Sequence, residues 1–246
     1  MDIRFEMISK NSDMIEKRIF QNEMKGIYVS CVNIKKDKEM RVGPEKRPVI
    51  FFFIHGRGMI HAGENSFEFN EKAAFCPVMD EQTVLKAYDS DVTVLKFSYD
   101  LIDADIDNRD EMVYSSPFFL EYSDSIKYGE SIKSAKTVSR SIIPSGTVPR
   151  FSMGTVQTRG YDKVSPHIHD NVEQLFLGLD NNRCTVKIED ASVDFIEDMV
   201  IYIPMGKEHG LEVEHGADMN YLWVDFFVDR DMSHLSKNHF SIDNHQ

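Results

Sequence analysis

The sequence predicts an all-β protein built as two tandem barrels, and three observations carry that prediction. From Gly26 onward, short runs rich in Val, Ile, Phe, Tyr and Thr alternate with Gly, Pro, Asn and Asp, the pattern of sandwiches and barrels. The order of these runs recurs about 125 residues later, a spacing too long for a solenoid and suited to a duplicated domain. With 246 residues, 41% of them apolar, the chain has material for two modest cores.

Residues 1–25 mix apolar and charged positions without a firm period, and 12–18 predict a helical turn capped by Ser12 or Asp13. Strands are predicted at 27–34, 49–54, 66–69, 83–85 and 92–97. In the second copy, 151–157 matches 27–33, 174–177 matches 50–53, 193–197 matches 67–71, Pro204 matches Pro77, and 221–227 matches 94–100. Between the copies, the acidic stretch 103–111 is predicted as a loop and the apolar stretch 112–122 as a strand crossing between barrels. The boundary falls within 105–140, giving domains 1–120 and 121–246. The polar tail after Asp229, with His234, His239 and His245, is predicted as a solvated or docking segment.

A net charge of −13 argues against nucleic acid, whose phosphates require clustered Lys and Arg. The longest apolar run, 49–54, is strand-sized, so no membrane partner is expected. The N-terminus is interrupted by charge and lacks a secretory signal, which predicts a cytoplasmic protein. Cys31, Cys76 and Cys184 are odd in number and far apart, so they suggest neither a disulfide framework nor a thiolate site.

The chemistry concentrates in residues 166–173 and 204–209. In a strand, His167 and His169 share a face, and Glu173 follows after enough residues for a turn to return a carboxylate beside them. His209 follows the turn-forming Pro204 and Gly206, where a hairpin mouth can present it inward. By ligand type this set suits zinc, iron, nickel or copper, and manganese less well. An inward Glu173 would bring Leu175 and Leu177 with it as an apolar floor, and an inward His209 would bring Leu211 and Val213. Polar pocket candidates are Gln157, Tyr202 and Trp223, with Tyr221 beside the last. Arg150 and Arg183 read as solvated loop residues, and Asp170 and Asn171 as turn caps.

His167-x-His169-x-x-x-Glu173, followed by Pro204-x-Gly206-x-x-His209, resembles the two signature motifs of the cupin superfamily. Gly160 is displaced by one position, Gly178 comes early, Asp198 stands in place of a glycine and Val213 in place of an Asn, while all four motif ligands are present. The resemblance implies two double-stranded β-helix, or jelly-roll, barrels in a bicupin. His167, His169, Glu173 and His209 would hold one divalent transition metal, Fe(II) being favoured and Mn, Ni, Zn or Cu alternatives. Opposite these ligands the first copy offers about Gly43, Glu45, Val49 and Gln82, so its barrel is expected to be degenerate and metal-free, with His55 and His61 as hairpin or interface residues. Four ligands on an octahedral ion leave two adjacent positions open, which points to dioxygenase chemistry on a small organic molecule. Isomerase or lyase chemistry and non-catalytic ligand binding are the alternatives. Exposed barrel edges suggest a homodimer.

Overall fold

The structure is a computed structural model and describes residues 2–10, 15–107, 117–130, 132–229 and 239–241. It divides into two compact units, one of Ser9–Asp124 and one of Met1–Ile8 with Ser125–Gln246. The chain opens with β1 (Phe5–Met7). The Ser9–Asp124 unit then holds β2 (Glu16–Ile19), β3 (Ile27–Ile34), β4 (Glu39–Val42), β5 (Val49–His55), β6 (Arg57–Ala62), β7 (Asn65–Asn70), β8 (Ala73–Cys76), β9 (Thr83–Ala87), β10 (Val92–Tyr99), the short helix α1 (Asp103–Asp107) and β11 (Phe118–Glu121). Its sheets run β11-β8-β5-β10-β3-β2 and β4-β9-β6-β7. Val32, Phe51, Phe53 and Val94 of the first pack with Val42, Ile60, Phe69 and Leu85 of the second in one apolar core. The Phe53 and Phe69 rings stack at 4.1 Å.

The other unit continues with β12 (Ile126–Glu130), β13 (Val138–Val148), β14 (Phe151–Arg159), β15 (Asp162–His167), β16 (Val172–Gly178), β17 (Arg183–Ile188), β18 (Ala191–Ile196), β19 (Met199–Ile203), β20 (His209–Val213), β21 (Asp218–Phe227) and β22 (His239–Ser241). Its sheets run β1-β19-β16-β21-β14-β13-β12-β22 and β15-β20-β17-β18. The series β14 to β21 repeats the pairing order of β3 to β10, so each unit is a jelly roll, as the duplicated sequence pattern predicts.

Burial follows position in these sheets. Central β5, flanked by β8 and β10, is apolar from Val49 to Ile54 and buried on both faces, so its sequence shows a continuous run. Edge strand β18 alternates exposed Ser192, Asp194 and Ile196 with partly or fully buried Val193 and Phe195.

Local expectations change where tertiary pairing overrides local signals. Glu16–Ile19 is a strand against β3 rather than part of a helical turn, while the caps at Ser12 and Asp13 lie outside the described residues. Asp103–Asp107 is a short helix within the stretch expected as a loop. Phe118–Glu121 pairs antiparallel with β8 and completes the sheet of the Ser9–Asp124 unit instead of crossing out of it. β1 pairs with β19, Phe5 facing Ile201, so the first strand belongs to the unit of Ser125–Gln246 rather than to a domain of residues 1–120. His239 lies in β22 beside β12, and His234 and His245 fall outside the described residues.

Gly178 shows how tightly the second unit is packed. A Cβ there would lie 2.1 Å from the Ile196 carbonyl oxygen and 2.8 Å from its carbon, both backbone atoms that cannot step aside cheaply. Gly178→Ala is expected to cost at least about 1–3 kcal/mol by overpacking, read as a lower urea midpoint with an unchanged slope.

Candidate metal centre

Three histidines converge inside the second unit. His209 begins β20, whose Leu211 and Val213 on the same face belong to the barrel core. On β15, Val164 faces that core, and a bulge between Val164 and His167 inserts one extra residue, which turns His167 inward opposite His209. His169 lies just beyond the end of β15, so the loop rather than strand alternation brings it round; its carbonyl accepts from the Gly206 amide at 2.9 Å. Gly206 sits at φ 74°, a conformation that glycine adopts without strain. The ring centroids lie 4.4 Å apart for His167 and His209, 5.0 Å for His167 and His169, and 5.5 Å for His169 and His209. One ligand atom from each lies within 4.8 Å of the other two.

The hydrogen bonds prepare these rings as ligands. Nδ1 of His167 donates to the Ser165 carbonyl at 2.9 Å, and Nδ1 of His209 to the Lys207 carbonyl at 3.0 Å. This leaves the Nε2 lone pairs available, the usual outer support for metal-binding imidazole. Nε2 of His209 is buried without a hydrogen-bond partner, an orphaned acceptor that a cation would satisfy. Burial, reinforced by their mutual repulsion, holds His169 down to about 4 and His209 to about 3; burial also lowers His167. All three are therefore neutral at pH 7, as metal binding requires. The residues fit a divalent transition ion held by three imidazole nitrogens.

The same shifts set a pH dependence for the metal-free protein. These histidines titrate lower in the folded state, so as pH falls below about 6.5 the unfolded chain takes up protons first and stability drops. The loss continues until about pH 4 for His169 and about pH 3 for His209, with a slope near 1.4 kcal/mol per pH unit for each group. Melting curves of metal-free protein between pH 7 and 4.5 check this, and His209→Phe is expected to flatten the slope.

Glu173 does not join this group. On β16 the core residue Phe176 faces the barrel interior, so Gln174 does too and Glu173 points to the other side with Leu175 and Leu177. Its Oε2 accepts from the Tyr202 hydroxyl at 2.7 Å and the Met205 amide at 3.2 Å, tying down the loop that leads to His209. The expected apolar floor of Leu175 and Leu177 is accordingly replaced by Phe176, whose ring meets His209 edge-on at 5.8 Å. Tyr202 alternates with the core residues Ile201 and Ile203 and so lies on the outer face, as does Gln157 beside Val156. Trp223 packs against the core from the inner face. Arg150 donates to the Phe227 carbonyl at 2.8 Å, and Arg183 is exposed. Glu173→Ala is expected to weaken metal binding about 10–100-fold without abolishing it, as loss of an outer support does; a metal titration with a chromophoric chelator measures this.

Three interior polar residues carry no motif and were missed by sequence reading. Gln174 sits directly opposite Asp225 of β21 and donates Nε2 to its Oδ1 at 2.6 Å, leaving its own Oε1 buried without a hydrogen-bond partner. Burial pushes the Asp225 carboxyl up to about 7 and pulls the Lys133 ammonium down to about 7, each opposed by the charge of the other. Nζ of Lys133 donates to Ser139 Oγ at 3.1 Å. The available signal was alternation from Tyr221 and Trp223, which puts Asp225 on the same face.

In the Ser9–Asp124 unit, strand register moves the counterparts of His167 and His209 by one residue, from Gly43 to Val42 and from Gln82 to Thr83. Val42 and Ala62 flank Thr83 as His167 and Ile188 flank His209, and Phe51 pairs with Phe75 as Phe176 pairs with Ile201, so the core residue at the position of Gln174 is Val49. Exposed His61 pairs with Ser66 Oγ at 2.8 Å across the β6–β7 hairpin. Cys31, Cys76 and Cys184 are buried free thiols, and burial raises Cys184 to about 12. Among the described residues no helix is long and apolar enough to cross a membrane.

No protein-family model matches the sequence, and no curated protein sequence matches it. Solved structures do. A cupin 2 conserved barrel domain protein from Leptotrichia buccalis superposes with a TM-score of 0.61 at 14% identity, covering 92% of this chain and 98% of that one. An IolB-like protein from Salmonella typhimurium gives 0.69 at 11%, covering 100% and 98%. An oxalate decarboxylase from Lactobacillus farciminis, in complex with formate, gives 0.65 at 13%, covering 92% and 83%. At these identities the likeness is one of fold, that of jelly-roll barrel proteins.

Proposed function

We propose that this chain of two cupin barrels is a metal-dependent enzyme acting on a small organic molecule, with Fe(II)-type dioxygenase chemistry as the leading reaction. The observation that carries this reading is the set of three neutral imidazoles with an orphaned Nε2 at its centre. A divalent ion held there would supply an electrophilic centre that activates substrate and dioxygen. His167 and His209 keep their lone pairs aimed inward through their Nδ1 hydrogen bonds. Glu173 and Tyr202 brace the second motif from outside, and Phe176 and Trp223 limit water at the inner wall. The first barrel, with Val42, Val49 and Thr83 at the positions of His167, Gln174 and His209, is the degenerate partner of this bicupin.

Asp225 and Lys133 favour catalysis over simple storage, since a carboxyl and an ammonium that both titrate near neutral pH suit proton transfer. They also support a second reading, a metal-assisted lyase or isomerase, and one structural neighbour is named as an oxalate decarboxylase. Oxygen consumption by Fe(II)-loaded protein over a panel of small organic acids, alcohols and thiols separates the two. Substrate loss matched by oxygen uptake supports the dioxygenase, and turnover under argon contradicts it.

A further inference from the structure

We infer that Lys133, held at the side of the three-histidine centre, binds the carboxylate of an anionic substrate. This assignment rests on the metal reading above and names the class of substrate that it takes.

Placement comes first. Lys133 lies in the connection from β12 to β13, and that connection is fastened at two points to the strand that delivers His167. The Ile132 carbonyl accepts from the Ser165 amide at 3.2 Å, and Ile132 itself packs against the barrel core. Asp162, at the start of β15, accepts from Ser134 Oγ at 2.6 Å and Thr137 Oγ1 at 2.7 Å, with Thr158 Oγ1 at 3.2 Å. Burial alone would raise the Asp162 carboxyl, but these hydrogen bonds and the Lys163 amide hold it below its ordinary value, so the clamp stays charged at neutral pH. Lys133 thus sits on a segment tied to β15, the strand that carries His167. Its Nζ reaches Ser139, which stands opposite core-facing Val156 and so points into the barrel.

Charge supplies the second argument. With Glu173 turned away, every protein ligand at the centre is neutral, so an ion there keeps its full double charge. Among the described residues, Asp225 is a carboxylate on the inner face that accepts from Gln174 and feels the charge of Lys133, while exposed Asp170 acts on His169 from the loop. With Lys133 protonated, the ion, the ammonium and the Asp225 carboxylate leave an excess of positive charge in a largely buried interior, and buried charge demands a counter-ion. An organic acid bearing a carbonyl or hydroxyl beside its carboxylate meets both centres, one oxygen toward the ion and the carboxylate toward Nζ. Nearby Asp225 repels a dianionic phosphate more strongly than a monocarboxylate.

The test uses full-length protein with and without Fe(II) under argon, titrated by calorimetry with pyruvate, neutral pyruvamide and inorganic phosphate. Metal-loaded wild type is expected to bind pyruvate at least about tenfold more tightly than pyruvamide or phosphate. Lys133→Met is expected to lose that advantage while keeping its metal content and its pyruvamide affinity, and Lys133→Arg to retain most of it. Equal pyruvate affinity in wild type and Lys133→Met, or a parallel loss of pyruvate and pyruvamide binding in both variants, overturns the assignment. So does tighter binding of phosphate than of pyruvate. If the protein takes up no metal yet binds pyruvate through Lys133, the metal reading fails and the carboxylate site stands; if it binds neither, both fail.

Discussion

Replacing His209 with alanine is expected to abolish metal uptake. Of the three rings, His209 is the most deeply buried, and its orphaned Nε2 is the atom that most requires a cation. Loss of a direct ligand exceeds the roughly 10–100-fold effect of losing an outer support, so equilibrium dialysis at micromolar metal is expected to find the variant empty. The truncation leaves a cavity among packed rings and so costs stability at pH 7, but it also removes the cost of keeping a buried imidazole unprotonated. The metal-free variant is accordingly expected to lose less stability than metal-free wild type as pH falls from 7 to 4.5. A variant that still binds one ion per chain contradicts the assignment of His209.

Phe176→Ala is expected to carry the largest stability cost among substitutions near the site. Its side chain is 2% exposed and meets Tyr221 at 4.9 Å, His209 at 5.8 Å and Phe195 at 6.5 Å between ring centroids. Removing it from a core fixed by two sheets leaves a cavity that neighbouring strands cannot close, for a loss of about 3–5 kcal/mol. Because the ring also backs His209, metal affinity is expected to fall with it, whereas Gly178→Ala is expected to lower stability more than affinity. Urea unfolding and metal titration on the same samples separate the two effects, and unchanged affinity in Phe176→Ala would show that His209 does not need this support.

Much of the fold was legible because jelly-roll strands carry their own punctuation. The run 49–54 between polar turns marks a buried central strand, and the recurrence of that order near residue 174 marks the second copy. What failed did so through long-range pairing: β1 reads as an isolated polar-apolar stretch until β19 is seen beside it, and Glu16–Ile19 becomes a strand only against β3. The three histidines were legible because motif spacing reports them directly. The orientation of Glu173 was not, since a one-residue difference in register decides whether Glu173 or Gln174 faces inward, and spacing in a turn does not fix that parity. The bulge at β15 and the loop position of His169 are similar cases, in which the expected convergence arises by a different backbone route. Lys133 and Asp225 had no motif at all; their importance comes from burial, which composition does not reveal.

The most direct measurement is the metal content of protein purified without added metal, then reloaded under argon with Fe(II), alongside the His209→Ala and Glu173→Ala variants. One ion per chain is expected for wild type, none for His209→Ala, and a weaker but full site for Glu173→Ala. A wild-type chain with no affinity for iron, manganese, nickel, zinc or copper would contradict the account, as would a His209→Ala variant that loads as well as wild type.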